Sequence, residues 1–249
     1  MDTTEEQFDA HAEAYDALYP LLDDDHPMIT FIRDRLPPRC SVVEFGIGTG
    51  RVAIPLVHAG LDVCGIDLSA RMLEKLAAKP EGARITTVHG SFTETRNLAA
   101  SRHSAVICVF NTLFHVLQQR EQARTLEAAA AALRPGGLMF LENSSAHRLV
   151  RKYPDGDAVR VHHQETGRVW LLAGVLDELR QRLDVTHIRI GGGEISPVPV
   201  SFRYVWPSEL RLMAQAAGLD LVEEHGDWSG APYDTSSRLH ICVLRKPPV

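Results

Sequence analysis

Residues 44–50 combine a carboxylate with closely spaced glycines and read Glu-Phe-Gly-Ile-Gly-Thr-Gly. They follow a short apolar run and precede a stretch with helical spacing of its apolar residues. Glycine permits positive φ angles and lets a bound molecule approach the backbone closely. The helix beginning near Arg51 would point its free N–H groups toward that molecule. The segment therefore predicts a binding site for a nucleotide-like molecule.

A second carboxylate, Asp67, ends the next apolar run, 67 − 46 = 21 positions after Gly46. A carboxylate at this point of a β-α-β unit can accept both ribose hydroxyls of an adenosine. The dinucleotide-binding fingerprint G-x-G-x-x-G would put its third glycine at position 51, where this chain has Arg51. This departure counts against an NAD-dependent oxidoreductase, the nearest alternative from another enzyme class.

Histidines provide the candidate acid–base groups. His115 follows the fourth apolar run, and histidine titrates near neutrality, so it is a candidate general base or orienting group, with a surface residue of the loop as the alternative. His162 and His163 are adjacent, and on a strand they would face opposite sides, so at most one reaches a pocket. We take His163 as the second catalytic candidate. The acidic residues 23–25 are expected to be a solvated helix start, and no metal is expected.

Apolar runs alternate with helix-like stretches between Ser41 and Asn143. The pattern predicts strands at residues 41–45, 62–69, 84–92, 105–111 and 138–143, and helices at 51–60, 70–79 and 120–137. Such alternation indicates a parallel sheet with helices on both faces. Since parallel strands end at one edge of the sheet, the groups described above would meet there.

The two ends of the chain have other patterns. Phe8, Ala12, Tyr15 and Tyr19 have helical spacing. Residues 21–36 predict a second helix that starts beyond residues 23–27, so we expect residues 1–36 to form a helical cap. Residues 158–164, 168–177 and 180–190 predict antiparallel strands of a lid, although 176–183 also suit a helix. Residues 191–197 predict a turn, and a helix and two strands follow. We expect one domain at 37–249 with the lid inserted at about 150–205.

Composition limits the partners. The chain has 249 residues and a formal net charge of -6, which disfavours a nucleic-acid substrate. The basic stretch 147–153 is expected to be a solvated face. Four cysteines without a C-x-x-C pair suggest reduced thiols. With no signal peptide and no apolar run near the roughly 20 residues of a membrane span, we expect a cytoplasmic monomer or homodimer without a membrane partner.

The spaced motifs resemble one enzyme family. The pattern E-x-G-x-G-x-G at 44–50 resembles motif I of the class I S-adenosylmethionine (SAM)-dependent methyltransferases. Residues 65–69 resemble their second motif, and residues 133–137 resemble the loop before their fifth strand. The resemblance is tightest over 42–142. It implies a Rossmann-like, seven-stranded, mostly parallel sheet, SAM as the cofactor and S-adenosylhomocysteine (SAH) as its product.

The resemblance also implies cofactor contacts. Glu44 would hold the methionine amine, and Asp67 would bind the ribose hydroxyls. Phe92 would stack on adenine, whereas Ser91 stands where many members have an acid. The further cofactor candidates are Gly46, Gly48 and Gly50 beside the cofactor chain, Leu68 and Met72 near adenine, and Asn111 at the methyl-transfer site.

Residues 11–20 and the C-terminal segment resemble small-molecule methyltransferases, including bacterial N-methyltransferases of amino sugars and similar metabolites. In that group an N-terminal tyrosine closes over the sulfonium, and Tyr15 is the candidate here, with helix packing as the alternative. The expected acceptor is an amine of a specialised metabolite or sugar; the alternatives are O- or C-methylation, or a reaction other than methylation. The substrate-binding candidates are Tyr19, Phe114, Tyr204, Trp206 and Trp228, with packing of the helix as the alternative for Tyr19 and core packing as the alternative for the two tryptophans.

Overall fold

A computed structural model of the chain describes residues 3–94 and 102–248. The helices are α1 (Thr3–Leu18), α2 (Pro27–Arg33), α3 (Ala53–His58), α4 (Ala70–Ala77), α5 (Gln119–Ala132), α6 (Ala146–Arg151) and α7 (Pro207–Ala216). The strands are β1 (Ser41–Phe45), β2 (Asp62–Asp67), β3 (Thr86–His89), β4 (His103–Cys108), β5 (Leu133–Ser144), β6 (Asp157–Glu165), β7 (Arg168–Asp177), β8 (Arg182–Gly191), β9 (Glu194–Arg203), β10 (Asp220–His225) and β11 (Leu239–Arg245). The first two residues of the predicted cap lie outside the described part.

Seven strands form the main sheet in the order β10-β11-β5-β4-β1-β2-β3. Strand β11 is antiparallel to both β5 and β10, and the pairs from β5 to β3 are parallel. The predicted seven-stranded, mostly parallel sheet is therefore confirmed. All six residues of β4 are buried, as expected for a strand covered on both faces.

Two hydrophobic clusters cover the two faces of this sheet. Neighbouring residues of a strand point to opposite faces, and Val42 belongs to one cluster while Val43 belongs to the other. The Val42 cluster includes Ile54 of α3, and the Val43 cluster includes Leu126 of α5. The helices thus hold the sheet rigid from both sides, and its carboxyl edge is left for the site.

Strands β6, β7, β8 and β9 form a separate antiparallel sheet in sequence order, as predicted for the lid. The helical alternative for residues 176–183 is wrong, because 178–181 are a turn between β7 and β8. The predicted turn at 191–197 is too long. Only 192–193 turn, and from Glu194 the chain pairs with β8 as far as Arg203.

The alanine-rich helix is shorter than the predicted 120–137. It ends at Ala132, and residues 133–137 open β5. Pro135 cannot continue a helix, and Leu133 already pairs with His103 of β4. The Lys246 ammonium closes the helix end by donating to the carbonyls of Ala130 and Leu133, each at 2.8 Å.

Across residues 3–94 and 102–248, none of the helices has the length and apolar character that a membrane crossing requires.

Candidate active site

A cavity of about 760 Å³ lies at the carboxyl edge of the main sheet. Its walls come from the glycine turn after β1, the ends of β2 and β4, helix α1, helix α6 and the inner face of the lid sheet. The site candidates that line it are Tyr15, Tyr19, Glu44, Gly46, Gly48, Asp67, Leu68, Met72, Ser91, Phe92, Asn111, Phe114 and His115. Most of the predicted residues are therefore brought to one place.

The glycine turn uses the conformations that glycine permits. Gly46, Gly48 and Gly50 have φ of 70°, 53° and 84°. A Cβ on Gly46 would lie 2.7 Å from Thr112 Cγ2, so a side chain there would clash as well as strain the backbone. Gly50 does not line the cavity, contrary to expectation. A Cβ there would meet Leu76 Cδ1 at 2.5 Å, so this glycine allows the turn to pack against α4.

Asp67 is held rigidly by backbone donors. The Gly48 N–H donates to Asp67 Oδ2 at 2.8 Å, and the Ser69 N–H donates to Oδ1 at 2.9 Å. Burial raises the pKa of this carboxyl, and the two backbone hydrogen bonds oppose the shift. The strand end and the glycine turn thus fix one carboxylate on the cavity wall.

Glu44 is a buried carboxyl, only 4% exposed, at the same end of the cavity. Among the described residues its Oε2 has no hydrogen-bond partner. Burial, followed by the negative charge of Asp67, raises the pKa of Glu44 well above its ordinary value. An unpartnered buried carboxylate oxygen is costly, and a cationic ligand group such as an ammonium would compensate it.

An apolar pocket continues from these carboxylates. Leu68, Met72 and Phe92 line it, and the Phe92 ring stacks on Phe45 with centroids 5.3 Å apart. The Ser91 hydroxyl lies 2.7 Å from that of Thr93, which also lines the cavity. This end offers flat apolar surface for an aromatic ring.

The backbone after β4 is strained. Phe110 and Asn111 both have positive φ, 58° and 63°, which is unusual for residues with side chains. Asn111 Oδ1 accepts a hydrogen bond from the Ser144 N–H at 2.6 Å. The Phe110 ring lies against Tyr19 and under the Arg51 guanidinium, 4.3 Å from ring centroid to Cζ. The sequence carries no signal for this turn, and Phe110 was missed.

Helix α1 is tied across the cavity by polar contacts. Asp16 accepts a hydrogen bond from the Thr49 hydroxyl at 2.5 Å and pairs with the Lys79 ammonium at 2.9 Å. Ser69 donates to Asp9 at 2.6 Å. These contacts bring Tyr15 onto the cavity wall, where burial raises the pKa of its phenol. Tyr15 therefore remains a neutral hydroxyl.

His115 ends a short 3-10 turn at Thr112–His115. Its ring lies edge-on to Phe8, at 4.8 Å between centroids, and 4.7 Å from the ring of Phe202 on β9. Cap and lid therefore meet at this imidazole and fix its orientation. Phe114, from the same turn, is buried and also lines the cavity.

The structure corrects the choice between the paired histidines. The register of β6 shifts between Val161 and His163, as in a β-bulge. His162 lines the cavity, whereas the His163 ring packs on Trp170 at 4.8 Å and does not line it. A bulge depends on strand pairing and could not be anticipated from the local sequence.

Three predicted substrate-binding aromatics lie outside the cavity lining. Tyr204 is fully buried against Trp206, with centroids 5.7 Å apart, and Trp206 also packs on His147. Trp228 donates from Nε1 to Glu142 Oε2 at 2.9 Å. These rings pack in or against the core, which favours the packing alternative for Trp206 and Trp228 and corrects the expectation for Tyr204.

Sequence reasoning also missed the basic end of the cavity. Arg148 and Lys152, on and just after α6, line it together with Arg238. The stretch 147–153 was expected to be a solvated face, so this expectation is corrected too. The i, i+4 spacing of the two α6-region cations was the signal that one helical face carries both.

Comparison with known proteins identifies the family. Residues 42–137 match the family described as a methyltransferase domain. The CcbJ methyltransferase from Streptomyces caelestis is 35% identical to the chain, and its structure superimposes over 99% of both chains with a TM-score of 0.87. The chain belongs to the class I SAM-dependent methyltransferases.

Two further relatives of this chain are N-methyltransferases by name. The cypemycin N-terminal methyltransferase of a Streptomyces species is 27% identical over 94% of this chain and 95% of its own length. The glycine/sarcosine N-methyltransferase of Aphanothece halophytica is 30% identical, over 41% of this chain and 39% of its own length. The predicted enzyme class is thus confirmed, and the donor is SAM.

Within the described residues, a cluster of groups that could ligate a metal lies outside the cavity lining. Glu224, His240 and Cys242 present ligand atoms within 4.8 Å of one another on β10 and β11. His240 Nε2 lies 2.8 Å from Glu224 Oε1, and Glu224 Oε2 pairs with Arg211. A cation already satisfies this carboxylate, and the expectation of a metal-free enzyme stays a prediction.

Proposed function

We propose that this methyltransferase transfers a methyl group from SAM to an amine of a small metabolite. The observation that carries the proposal is the continuous cavity that joins the Glu44–Asp67 end to the inner face of the lid sheet. The donor fits the first part and a small acceptor the second. The names of the two N-methyltransferase relatives support an amine as the acceptor group.

The described residues fit the donor. Glu44 would hold its ammonium, because the carboxylate is buried and one oxygen lacks a partner. Asp67 would accept the ribose hydroxyls from its fixed position, and Gly46 and Gly48 leave room beside the backbone. Leu68, Met72, Ser91 and Phe92 would surround the adenine, and Asn111 would lie beside the methyl group.

Mechanism follows from what the chain positions. When bound, SAM supplies an electrophilic methyl group on a sulfonium. The protein orients the acceptor and excludes water, and holding reacting atoms about 3–3.5 Å apart supplies several kcal/mol of barrier reduction. Tyr15 contributes a neutral hydroxyl from α1. Phe8 and Phe202 hold the imidazole of His115, which orients the amine or accepts its proton.

The domain organisation is part of the same proposal. Residues 1–36 act as a cap over the donor, and residues 37–249 form the methyltransferase domain. The lid at about 150–205 forms the wall of the acceptor space. The contacts of Asp16 with Thr49 and Lys79 support the role of the cap.

The test is a screen of small amines with SAM. Turnover is measured as SAH formation and as a mass gain of about 14 Da for each H replaced by CH₃. We expect product with amines and none with matched alcohols. Arg180→Gln is the control variant and should turn over normally, because this lid-turn side chain is 76% exposed and lies outside the cavity lining. Methylation of oxygen or carbon alone, or nicotinamide-dinucleotide binding without SAH binding, would overturn the proposal.

A further inference from the structure

The cavity has a cationic rim, formed by Arg148, Lys152, Arg160 and Arg238. Three of these residues line the cavity, and the fourth, Arg160, donates a hydrogen bond to the backbone carbonyl of Lys152. The Ser145 N–H donates to the carbonyl of Arg238 at 3.0 Å, which fixes Arg238 beside the start of α6. Separate parts of the chain thus bring four cations together.

The positive charge of the cationic rim is not neutralised locally. Within residues 3–94 and 102–248, no ion pair to a carboxylate involves any of the four. Glu121 also lines the cavity, but it pairs with Arg124 at 2.9 Å. The chain as a whole has a net charge of -6, so this concentration of cations is local. Clustered like charges repel, and an anion would relieve the repulsion.

The pKa of Lys152 is affected by the neighbouring cations. Partial desolvation and the positive charges of the three neighbouring arginines lower the pKa of its ammonium. A bound anion would reverse the electrostatic part of this effect. The cationic rim therefore has the properties of a site that is completed by a negatively charged group.

The wall beside the rim is apolar. Leu172, Val185 and Val200 of the lid sheet line the cavity. Leu172 is paired directly with Arg160 on one neighbouring strand and with His187 on the other, so these side chains share the cavity-facing side of the sheet. The buried carboxylates Glu44 and Asp67 lie at the donor end. The cavity is thus negative at the donor end, apolar along the lid and positive at the rim.

We propose that the acceptor carries an anionic group, a carboxylate or a phosphate, on an apolar body, and that the cationic rim binds this group. The inference rests on the proposed methyl transfer to an amine. It orients the acceptor, because an anion held at the rim directs the other end of the molecule along the lid toward the donor. Arg148 and Arg238 present planar donors that suit either anion, and Lys152 adds a point charge.

The test compares matched probes on SAH-loaded protein by calorimetry. The pairs are hexanoate with hexanamide and hexyl phosphate with hexanol, which differ in the charged head group. We expect the charged member of at least one pair to bind tenfold more tightly or better, and to weaken as salt rises. The more tightly bound head group identifies the anion. Equal affinities within both pairs, or no binding of either charged probe, would overturn the inference.

Variants then assign the effect to the rim. In the triple variant Arg148→Gln/Lys152→Gln/Arg238→Gln, the preference for the charged probe should fall to less than threefold. The single variant Arg148→Lys keeps the positive charge and should retain most of this preference. Arg180→Gln is the matched control for removing a lid-region cation. A triple variant that binds SAH normally and keeps the charge preference refutes the cationic rim. If the wild-type protein does not bind SAH, the proposed function is refuted instead, so failure of the proposed function and failure of the rim proposal are distinguishable.

Discussion

Without SAM, the Glu44→Gln variant should be more stable than the wild type, and this difference in stability should grow as the pH rises. The folded state raises the pKa of Glu44 above its ordinary value of 4.5, through burial and then Asp67. A carboxyl with a raised folded pKa contributes its full stability below the ordinary pKa and loses it as the pH rises through the folded pKa. Glutamine resembles the protonated form and does not titrate.

The magnitude follows from the linkage of one proton. Between pH 4.5 and the raised folded pKa, the wild type loses up to about 1.4 kcal/mol per pH unit relative to Glu44→Gln. For a chain of this size, 1 kcal/mol corresponds to roughly 2–4 °C in Tm. The Tm difference in favour of the variant should therefore grow by up to roughly 3–6 °C per pH unit.

Binding of SAH should change in the opposite direction. The variant loses a hydrogen bond between charged groups, worth about 1.5–3 kcal/mol, or roughly ten- to a hundredfold in affinity at neutral pH. Because burial raises the pKa of Glu44, binding of an ammonium beside it is also expected to lower that pKa and release protons. Calorimetry in phosphate and in Tris should therefore reveal up to about one more proton released by the wild type than by the variant.

Thermal unfolding of both proteins from pH 5 to pH 8, with and without SAH, is the assay. Glu142→Gln is the matched control, because burial also raises the pKa of Glu142 but its carboxylate contacts Trp228 and lies outside the cavity lining. It should share the pH trend in stability and change SAH affinity little. A Tm difference for Glu44→Gln that stays constant with pH, or unchanged SAH affinity, would refute the reasoning.

Three further changes probe the cap and the methyl-transfer site. His115→Gln should lower turnover of an amine by less than about tenfold, since an unprotonated amine needs no base; a loss of roughly 10²–10⁴-fold in steady-state kinetics would instead indicate general-base catalysis. Asp16→Asn removes a partly exposed ion pair to Lys79 worth about 0.2–1 kcal/mol, so SAH should dissociate up to about fivefold faster at low salt in stopped-flow measurements. High salt should abolish this difference. The control Glu13→Gln, which removes the exposed ion pair to Lys75, should not reproduce it. Asn111→Gly relieves a positive φ but removes the acceptor for the Ser144 N–H, so we expect a Tm within a few degrees of the wild type and slower methyl transfer; unchanged kinetics would contradict a positioning role for the side chain.

Local sequence predicted which residues of the glycine turn and of the β2 end share the cavity wall, apart from Gly50; their contacts with SAM stay a prediction. Residues 44–50 and Asp67 were identified because a glycine turn and a strand-ending carboxylate have the same geometry wherever a β-α-β unit occurs. The structure places Glu44, Gly46, Gly48 and Asp67 together on the cavity wall. Here the relevant distances are set by a few neighbouring residues and by the alternation of strands and helices.

The acceptor end depends on contacts that local sequence does not encode. His162 replaces His163 on the cavity wall because the pairing with β7 shifts at that point. Trp228 faces the core because Glu142, far away in the chain, accepts its N–H. The positive φ of Phe110 has no compositional signal, since a glycine would have marked it but a phenylalanine does not.

The position of β11 has a consequence for how the nascent chain folds. This strand lies between β5 and β10, so β5 keeps an open edge until residues 239–245 have left the ribosome. The lid hairpins are local in sequence and can pair earlier, whereas closing the main sheet joins β11 to β5 over a separation of about a hundred residues, which makes this late step slow. During synthesis, the exposed edge of β5 is therefore open to wrong strand pairing.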